Sequence, residues 1–185
     1  MKKEKKVEMY FCLKCGLEVH PDYGNPPKCP DCDIPTHVKP VLTVKNVKSF
    51  MGTEGHGFNA TLYVDGVRTA FVIDSAHGGP FDWQILNEKM YKFFSAFVLS
   101  HPPILEDGLT LKKDEDWIMS DLVADYELNR DMKRLCKKQT LFLLQGDKIE
   151  EGYRTLNIPY NDKAKAYLEK KYGNKVARIL NEEVA

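Results

Sequence analysis

The sequence lacks the features of a membrane protein or a secreted protein. No stretch of its 185 residues approaches the roughly 20 consecutive apolar residues of a membrane-spanning helix. The charged start at residues 1–6 is not followed by the apolar run of a signal peptide. We therefore expect a soluble, cytoplasmic protein with no membrane association, in a compartment that keeps thiols reduced.

An excess of charge of either sign is also missing, because 27 Lys and Arg side chains balance 27 Asp and Glu side chains. A protein that binds nucleic acid through its phosphates usually carries a basic excess. The balance is uneven along the chain: residues 1–48 hold 9 basic and 6 acidic side chains, whereas residues 49–135 hold 8 basic and 14 acidic ones. The acidic middle segment favours a partner with a basic surface.

Sequence motifs of common enzymes are absent as well. The chain has no phosphate-binding loop with its lysine and no Gly-x-Ser-x-Gly nucleophile elbow. These absences favour a protein without enzymatic activity.

Only five cysteines occur, and four of them form two close pairs. Two residues separate Cys12 from Cys15, and the same spacing recurs between Cys29 and Cys32. This spacing lets both sulfur atoms of a pair turn toward one point, and Gly16 permits the positive φ of a tight knuckle. Because four soft thiolates in a tetrahedral array suit zinc, the pattern predicts one structural zinc ion bound by all four cysteines.

Three other interpretations compete with zinc. Disulfides are rare in a reducing compartment, and a redox Cys-x-x-Cys site normally belongs to a thioredoxin-like βαβ unit, which does not follow here. The third is iron, because the first 35 or so residues resemble both zinc ribbons and the rubredoxin-like knuckles of some iron proteins. That resemblance implies a helical di-iron domain with Glu-x-x-His motifs, and the sequence has no such motif. Zinc is therefore favoured, with His20 and His37 not needed as ligands.

The remaining sequence predicts runs of strands and runs of helices. The predicted strands are 17–20, 41–50, 58–64, 67–73, 140–144 and 153–158, with a turn over 21–27. The predicted helices are 80–98, 114–137 and 161–172, the last continued by 176–180, and the lone Cys136 is expected to be a small core residue. This pattern predicts an α+β fold: a four-cysteine zinc ribbon at 1–38, then a domain at 39–185 with an antiparallel sheet of about five strands and three helices.

Asp65-Gly66 between two alternating runs is typical of a two-residue hairpin turn. In such a hairpin, residues whose numbers sum to 131 face each other, which places Glu54 opposite His77 and His56 opposite Ser75. The loops at the open end of this hairpin then form a cluster that we call the hairpin mouth. Its members are Glu54, His56, Asp74, His77, Gly78, Gly79 and Trp83.

Two functions fit the hairpin mouth. Its histidines and carboxylates are suited to a second metal ion or to acid–base chemistry, as in a hydrolase. Alternatively, Gly78 and Gly79 precede a helix start at Pro80, which is suited to an anion or a nucleotide, with Trp83 as a stacking surface. A third interpretation is structural: the glycines make tight loops, and Asp82 caps the helix.

A further set of motifs is spread over residues 45–180, at residues 57–66, Asp74, residues 77–79, residues 152–156 and residues 171–173. Through these motifs the segment resembles small proteins of bacteriophages and mobile elements. This resemblance implies a phage-type origin but transfers no catalytic residues. We therefore expect a zinc-binding regulatory protein, such as a phage-type inhibitor or modulator of a host protein, with a protein partner. The alternatives are a nucleic-acid-associated zinc-ribbon protein, and a hydrolase or nucleotide-binding protein that uses the hairpin mouth.

Overall fold

The computed structural model describes residues 9–19, 27–106 and 108–184, so that His20 and most of the predicted turn over 21–27 lie outside the described residues. The strands are β1 (Tyr10–Phe11), β2 (Glu18–Val19), β3 (His37–Val38), β4 (Leu42–Met51), β5 (His56–Val64), β6 (Val67–Asp74), β7 (Asp82–Ile85), β8 (Ile104–Glu106), β9 (Leu109–Leu111), β10 (Thr140–Leu144), β11 (Arg154–Leu156) and β12 (Val176–Ile179). The helices are α1 (Glu88–Leu99), α2 (Glu115–Cys136), α3 (Asp162–Tyr172) and α4 (Leu180–Val184). The chain divides into two compact units, residues 1–124 and residues 125–185.

A four-stranded antiparallel sheet of order β4-β5-β6-β7 is the centre of the first unit. The predicted strands at 41–50, 58–64 and 67–73 are confirmed by β4, β5 and β6. Asp65 and Gly66 have φ values of 49° and 77°, as a two-residue turn with two left-handed residues requires. The Asp65 carboxylate also accepts a hydrogen bond of 2.8 Å from the backbone N–H of Val41, which fixes the start of β4 beside the turn.

The register of this hairpin differs from the prediction beyond its first two pairs. Val64 pairs with Val67 and Tyr63 with Arg68 as predicted, but a bulge then shifts the pairing, so that Phe58 rather than Gly57 lies opposite Asp74. The extra residue is Thr69, which is buried and whose carbonyl accepts hydrogen bonds from the N–H groups of residues 86 and 87. The predicted pairs in the hairpin mouth are therefore wrong by one residue.

The predicted helix over 80–98 is correct at its end and wrong at its start. Residues 82–85 form β7, in which Trp83 pairs with Val72 while its neighbours Asp82 and Gln84 are exposed. Helix α1 begins only after Asn87, whose side-chain oxygen accepts a hydrogen bond from the backbone N–H of Met90. Consequently, Gly78 and Gly79 precede a strand, and Asp82 does not cap a helix.

The core of the first unit lies between α1 and one face of the sheet. Phe94 and Val98 of α1 are fully buried, as are Leu62 and Val72 of the strands against which the helix packs. Burial of each such side chain stabilises the fold by roughly 1.5–3 kcal/mol. Two smaller sheets complete this unit among the described residues. One is a three-stranded antiparallel sheet of order β2-β1-β3, and the other is the two-stranded hairpin of β8 and β9, which the sequence did not predict.

The second unit contains a three-stranded antiparallel sheet of order β11-β10-β12. Its strands at 140–144 and 154–156 and its helix α3 confirm the predictions, and Asn161 caps α3 by accepting hydrogen bonds from the N–H groups of residues 163 and 164. The predicted helix over 176–180 is wrong, because Val176–Ile179 pairs with β10 as β12. Gly173, at φ 53°, ends the preceding helix, and Val176 and Ile179 favour a strand.

The class predicted from the sequence, a mixture of helices and antiparallel sheets, is confirmed. The predicted numbers are not, since the described residues contain four helices and several separate sheets rather than three helices and one sheet of about five strands. The boundary predicted near residue 38 stays a prediction. Within the described ranges, no helix is both long and apolar enough to cross a bilayer.

Candidate metal centre

The first cysteine pair lies in a tight knuckle between β1 and β2. The N–H of Cys12 donates to the carbonyl of Leu17 at 3.0 Å, and the N–H of Gly16 donates to the carbonyl of Cys12 at 2.8 Å. Gly16 adopts φ 74°, the left-handed conformation that the sequence predicted for it. These bonds turn the chain so that Cys12 and Cys15 point to the same side.

The second cysteine pair has the same backbone hydrogen bonds. The N–H of Cys29 donates to the carbonyl of Ile34 at 2.9 Å, and the N–H of Asp33 donates to the carbonyl of Cys29 at 2.8 Å. Asp33 takes the position of Gly16 with φ 54°, since Asp is one of the few other residues that tolerate the left-handed region. The two knuckles are therefore equivalent in backbone geometry although their sequences differ.

The four sulfur atoms converge on one point. All four lie within 4.8 Å of one another, and those of Cys15 and Cys29 are 3.6 Å apart. Zinc–sulfur bonds of about 2.3 Å in a tetrahedron place sulfur atoms about 3.8 Å apart. A disulfide needs about 2.05 Å, and all of these cysteines are free. The arrangement therefore fits one tetrahedrally bound metal ion held by Cys12, Cys15, Cys29 and Cys32.

The ionisation of the thiols also fits a metal site. Burial raises the pKa of the Cys12 thiol, but hydrogen bonds from the backbone at Cys15 and Lys14 outweigh this effect and lower the pKa to about 7. The hydrogen bond with Cys15, followed by burial, raises the pKa of Cys32 to about 12. Four adjacent thiolates repel one another without a cation, and a divalent ion removes this repulsion.

The knuckles pack on α1 through an aromatic contact. Phe11, the residue before Cys12, is buried and meets Phe97 edge-to-face with ring centroids 4.9 Å apart. Gly16 approaches the end of the same helix: a Cβ atom at Gly16 would lie 2.9 Å from the carbonyl carbon of Ser100 and nearer still to its oxygen. Gly16 is thus required twice, for its φ and for this contact, and the sequence indicated only the first reason.

His37, which was not needed as a ligand, and the fifth cysteine, Cys136, both lie outside the sulfur cluster. The His37 ring lies 6.3 Å from the ring of Phe11 and 6.4 Å from that of Phe93, as part of the aromatic packing. Cys136 packs, half-buried, against a cluster in the second unit that contains Leu141 and Leu180. Burial raises the pKa of the Cys136 thiol, which is consistent with the small core residue expected there.

The two loops of the hairpin mouth do meet. The N–H of Glu54 donates to the carbonyl of Ala76 at 3.0 Å, and the Glu54 carboxylate lies against Gly78. The Asp74 carboxylate is engaged locally, accepting a hydrogen bond of 2.8 Å from the N–H of Ala76, while His56 and His77 are exposed. Among the residues that the structure describes, the four cysteines are the only group of three or more His, Cys, Asp or Glu side chains whose ligand atoms lie close enough to share a metal ion.

Trp83 is separated from the hairpin mouth by its packing. Its ring centroid lies 5.7 Å from that of Tyr91 and 5.9 Å from that of Phe94, and its indole N–H donates to the Asp116 carboxylate at 2.8 Å. The ring is therefore part of the core between the sheet and α1. Its use as a stacking surface beside Gly79 stays a prediction.

Comparison with known proteins identifies no relative: no family model, no curated protein and no solved structure matches this chain. The resemblance of residues 45–180 to bacteriophage proteins therefore depends on the sequence motifs alone.

Proposed function

We propose that this protein is a binding protein without enzymatic activity, and that its N-terminal residues form a zinc ribbon around one structural zinc ion. The observation that carries the proposal is the convergence of four cysteine sulfur atoms within 4.8 Å. Four protein ligands fill a tetrahedral site completely, whereas a catalytic zinc ion keeps one position for water or substrate. The ion then ties two knuckles together and supports their packing on α1.

Metal analysis tests the ligand set. The purified protein should contain about one zinc ion per chain. Cys15→Ser and Cys29→Ser should each lose the zinc, whereas the matched control Cys136→Ser should retain it, because Cys136 lies in another cluster. Iron in protein produced with ample zinc and iron, or full zinc in Cys15→Ser, would contradict the assignment.

Cobalt substitution tests the closed coordination sphere. Cobalt(II) in place of zinc should give the visible spectrum of a tetrahedral tetrathiolate site. Added imidazole or cyanide should leave that spectrum unchanged, because no coordination position is open. A spectral change at constant cobalt content would indicate an open position, and the structural role of the metal would have to be abandoned.

The proposed partner follows from charge. The acidic segment at 49–135 supports a protein partner with a basic surface. The motifs at 57–66, 77–79, 152–156 and 171–173, with Asp74, support a phage-type inhibitor or modulator of a host protein. A nucleic-acid partner is the second candidate, and one specific observation favours it: the sheet of the first unit presents aromatic and basic side chains on one face. A hydrolase or nucleotide-binding role for the hairpin mouth stays a prediction.

A further inference from the structure

The four-stranded sheet has a second face, opposite to the one on which α1 packs. Cross-strand partners point to the same face, so the register assigns each side chain. Ala60, Val72 and Trp83 form one row on the helix side. The alternate positions of the strands point away from α1, and we call them the outer sheet face. Its aromatic and basic members are Lys45, Lys48, Phe50, Tyr63, Arg68 and Phe71.

Phe50 lies on this face, over the neighbouring strand. It pairs with Gly57 of the neighbouring strand, and a Cβ atom at Gly57 would lie 2.8 Å and 2.9 Å from two atoms of the Phe50 ring. The ring therefore covers the position that a side chain would occupy at residue 57. Phe50 is nevertheless 39% exposed, so that part of its ring faces solvent. An exposed aromatic ring held against a sheet is suited to stacking on a base.

Two more aromatic rings lie on the same face. Phe71 is in line with Lys45 across β5, and Tyr63 pairs with Arg68. Both rings are half-buried and lie within paired strands, so the face on which each ring lies is fixed before any ligand arrives. The ammonium group of Lys45 lies 4.6 Å from the centre of the Tyr63 ring, which places a positive charge directly at an aromatic surface.

The charge of the outer sheet face differs from that of the segment around it. Lys45, Lys48 and Arg68 are exposed on this face, and Asp82 is the acidic side chain that the register places with them. The segment 49–135 as a whole has an excess of acidic side chains. Basic groups interleaved with aromatic rings complement a polyanion whose unpaired bases can stack, whereas the bases of a duplex are already stacked on each other.

We propose that the outer sheet face binds single-stranded nucleic acid, with Phe50 and Phe71 stacking on bases and Lys45, Lys48 and Arg68 contacting phosphates. The proposal rests on the second candidate named above, a nucleic-acid partner, and specifies the surface and the form of the nucleic acid. It does not depend on the identity of the metal, because none of the side chains involved is a metal ligand.

Fluorescence anisotropy of the full-length, metal-loaded protein tests this proposal. The probes are labelled oligo(dT) and oligo(U) of about 12 nucleotides, within the site size of such surfaces, and a duplex of the same length. We expect both single strands to bind more tightly than the duplex. Phe50→Ala and Phe71→Ala should each weaken binding roughly 5- to 150-fold, as the loss of one base–aromatic stack does. Lys48→Gln should lower the slope of log affinity against log salt by about 0.7.

The matched control is Tyr167→Ala, which removes an aromatic side chain that is 42% exposed on α3. It should leave the affinity unchanged. The proposal is overturned if no oligonucleotide binds at low salt, if the duplex binds as well as the single strands, or if Tyr167→Ala weakens binding as much as Phe71→Ala. A protein ligand lost in Phe50→Ala, without any oligonucleotide binding, would make the face a protein interface instead. Metal content measured on the same samples reports separately on the zinc proposal.

Discussion

The contact between Gly16 and the end of α1 gives the sharpest test of how the metal knuckles are attached. Gly16→Ala adds one methyl group at a residue with φ 74°, where an L-residue with a Cβ atom loses roughly 1–2 kcal/mol. The same methyl group would lie 2.9 Å from the carbonyl carbon of Ser100 and nearer still to its oxygen. Real Cβ atoms do not approach other atoms so closely, so the knuckle or the end of the helix has to move.

The destabilisation expected for Gly16→Ala is the sum of the backbone strain and the cost of the close contact. Overpacking of a close contact typically destabilises by about 1–3 kcal/mol, so the total for Gly16→Ala is about 2–5 kcal/mol. The matched variant is Asp33→Ala in the equivalent second knuckle, at φ 54°. Asp33 already has a Cβ atom in the left-handed region, so this variant only exchanges a residue that tolerates the region for one that tolerates it less well. It makes no contact with Ser100, and it loses an exposed ion pair with Lys28. We therefore expect a loss of about 1 kcal/mol for Asp33→Ala.

Thermal unfolding of the metal-loaded variants, with metal content measured in parallel, separates the cost of the Ser100 contact from the cost of the backbone strain. For a chain of this length each kcal/mol lowers the melting temperature by roughly 2–4 °C, so Gly16→Ala should melt well below Asp33→Ala. Equal losses in the two variants would mean that the knuckle does not pack against Ser100 as described. The reasoning about that contact would then be refuted, whatever the metal.

Two further predictions concern the second unit. Asn181 is buried, and its side chain accepts a hydrogen bond from the N–H of Leu141 and donates two to backbone carbonyls. Asn181→Asp should therefore lower the free energy of unfolding, measured by urea titration, by about 2–4 kcal/mol. The control Asn174→Asp, at an exposed position, should change it little. A small effect at position 181 would contradict the hydrogen-bond network. Several contacts, of which the hydrogen bonds from Arg154 are the strongest, lower the pKa of Asp147 to about 2. The ionised carboxylate therefore stabilises the fold fully above about pH 4, and this stabilisation is lost as the pH falls to about 2. Asp147→Asn should therefore flatten the stability profile between these values, and identical profiles would contradict the pairing.

The elements that the sequence predicts correctly depend on local rules. The cysteine spacing predicts the sulfur cluster, Asp65-Gly66 predicts the turn, and Asn161 predicts the start of α3, because each involves residues a few positions apart. The long helix α2 is likewise predicted to within one residue at each end, since acidic residues mark its start and a long amphipathic pattern continues to Cys136.

The failures involve pairing with distant strands. Ile85 and Leu86 continue the helical spacing of α1 toward its N-terminus, yet Ile85 belongs to β7 because β6 offers it an open edge. In the same way Val176 leaves the helical pattern to pair with Leu144. Such pairing contributes hydrogen bonds and burial that exceed the small differences in local propensity.

The errors in the sites have the same cause. The bulge at Thr69 shifts the hairpin mouth by one residue. The carbonyl of Thr69 accepts hydrogen bonds from the N–H groups of residues 86 and 87, which follow β7 and are distant in sequence. Similarly, the contact of Gly16 with Ser100 joins residues that are far apart along the chain. The outer sheet face was not predicted as a site, because its aromatic and basic residues come from three strands and become neighbours only when these strands pair.

The bulge in β4 has a consequence for association between copies of this protein. β4 is an edge strand of ten residues, and long, flat edge strands recruit further strands and lead to aggregation. Its pairing with β5 is interrupted between Lys45 and Lys48, where Asn46 adopts φ 56°. A foreign strand cannot remain in one register across this break, and the two flanking lysines repel the same lysines of a second copy. The edge is thereby protected against sheet extension, while Lys45, Lys48 and Phe50 of the outer sheet face beside it stay exposed.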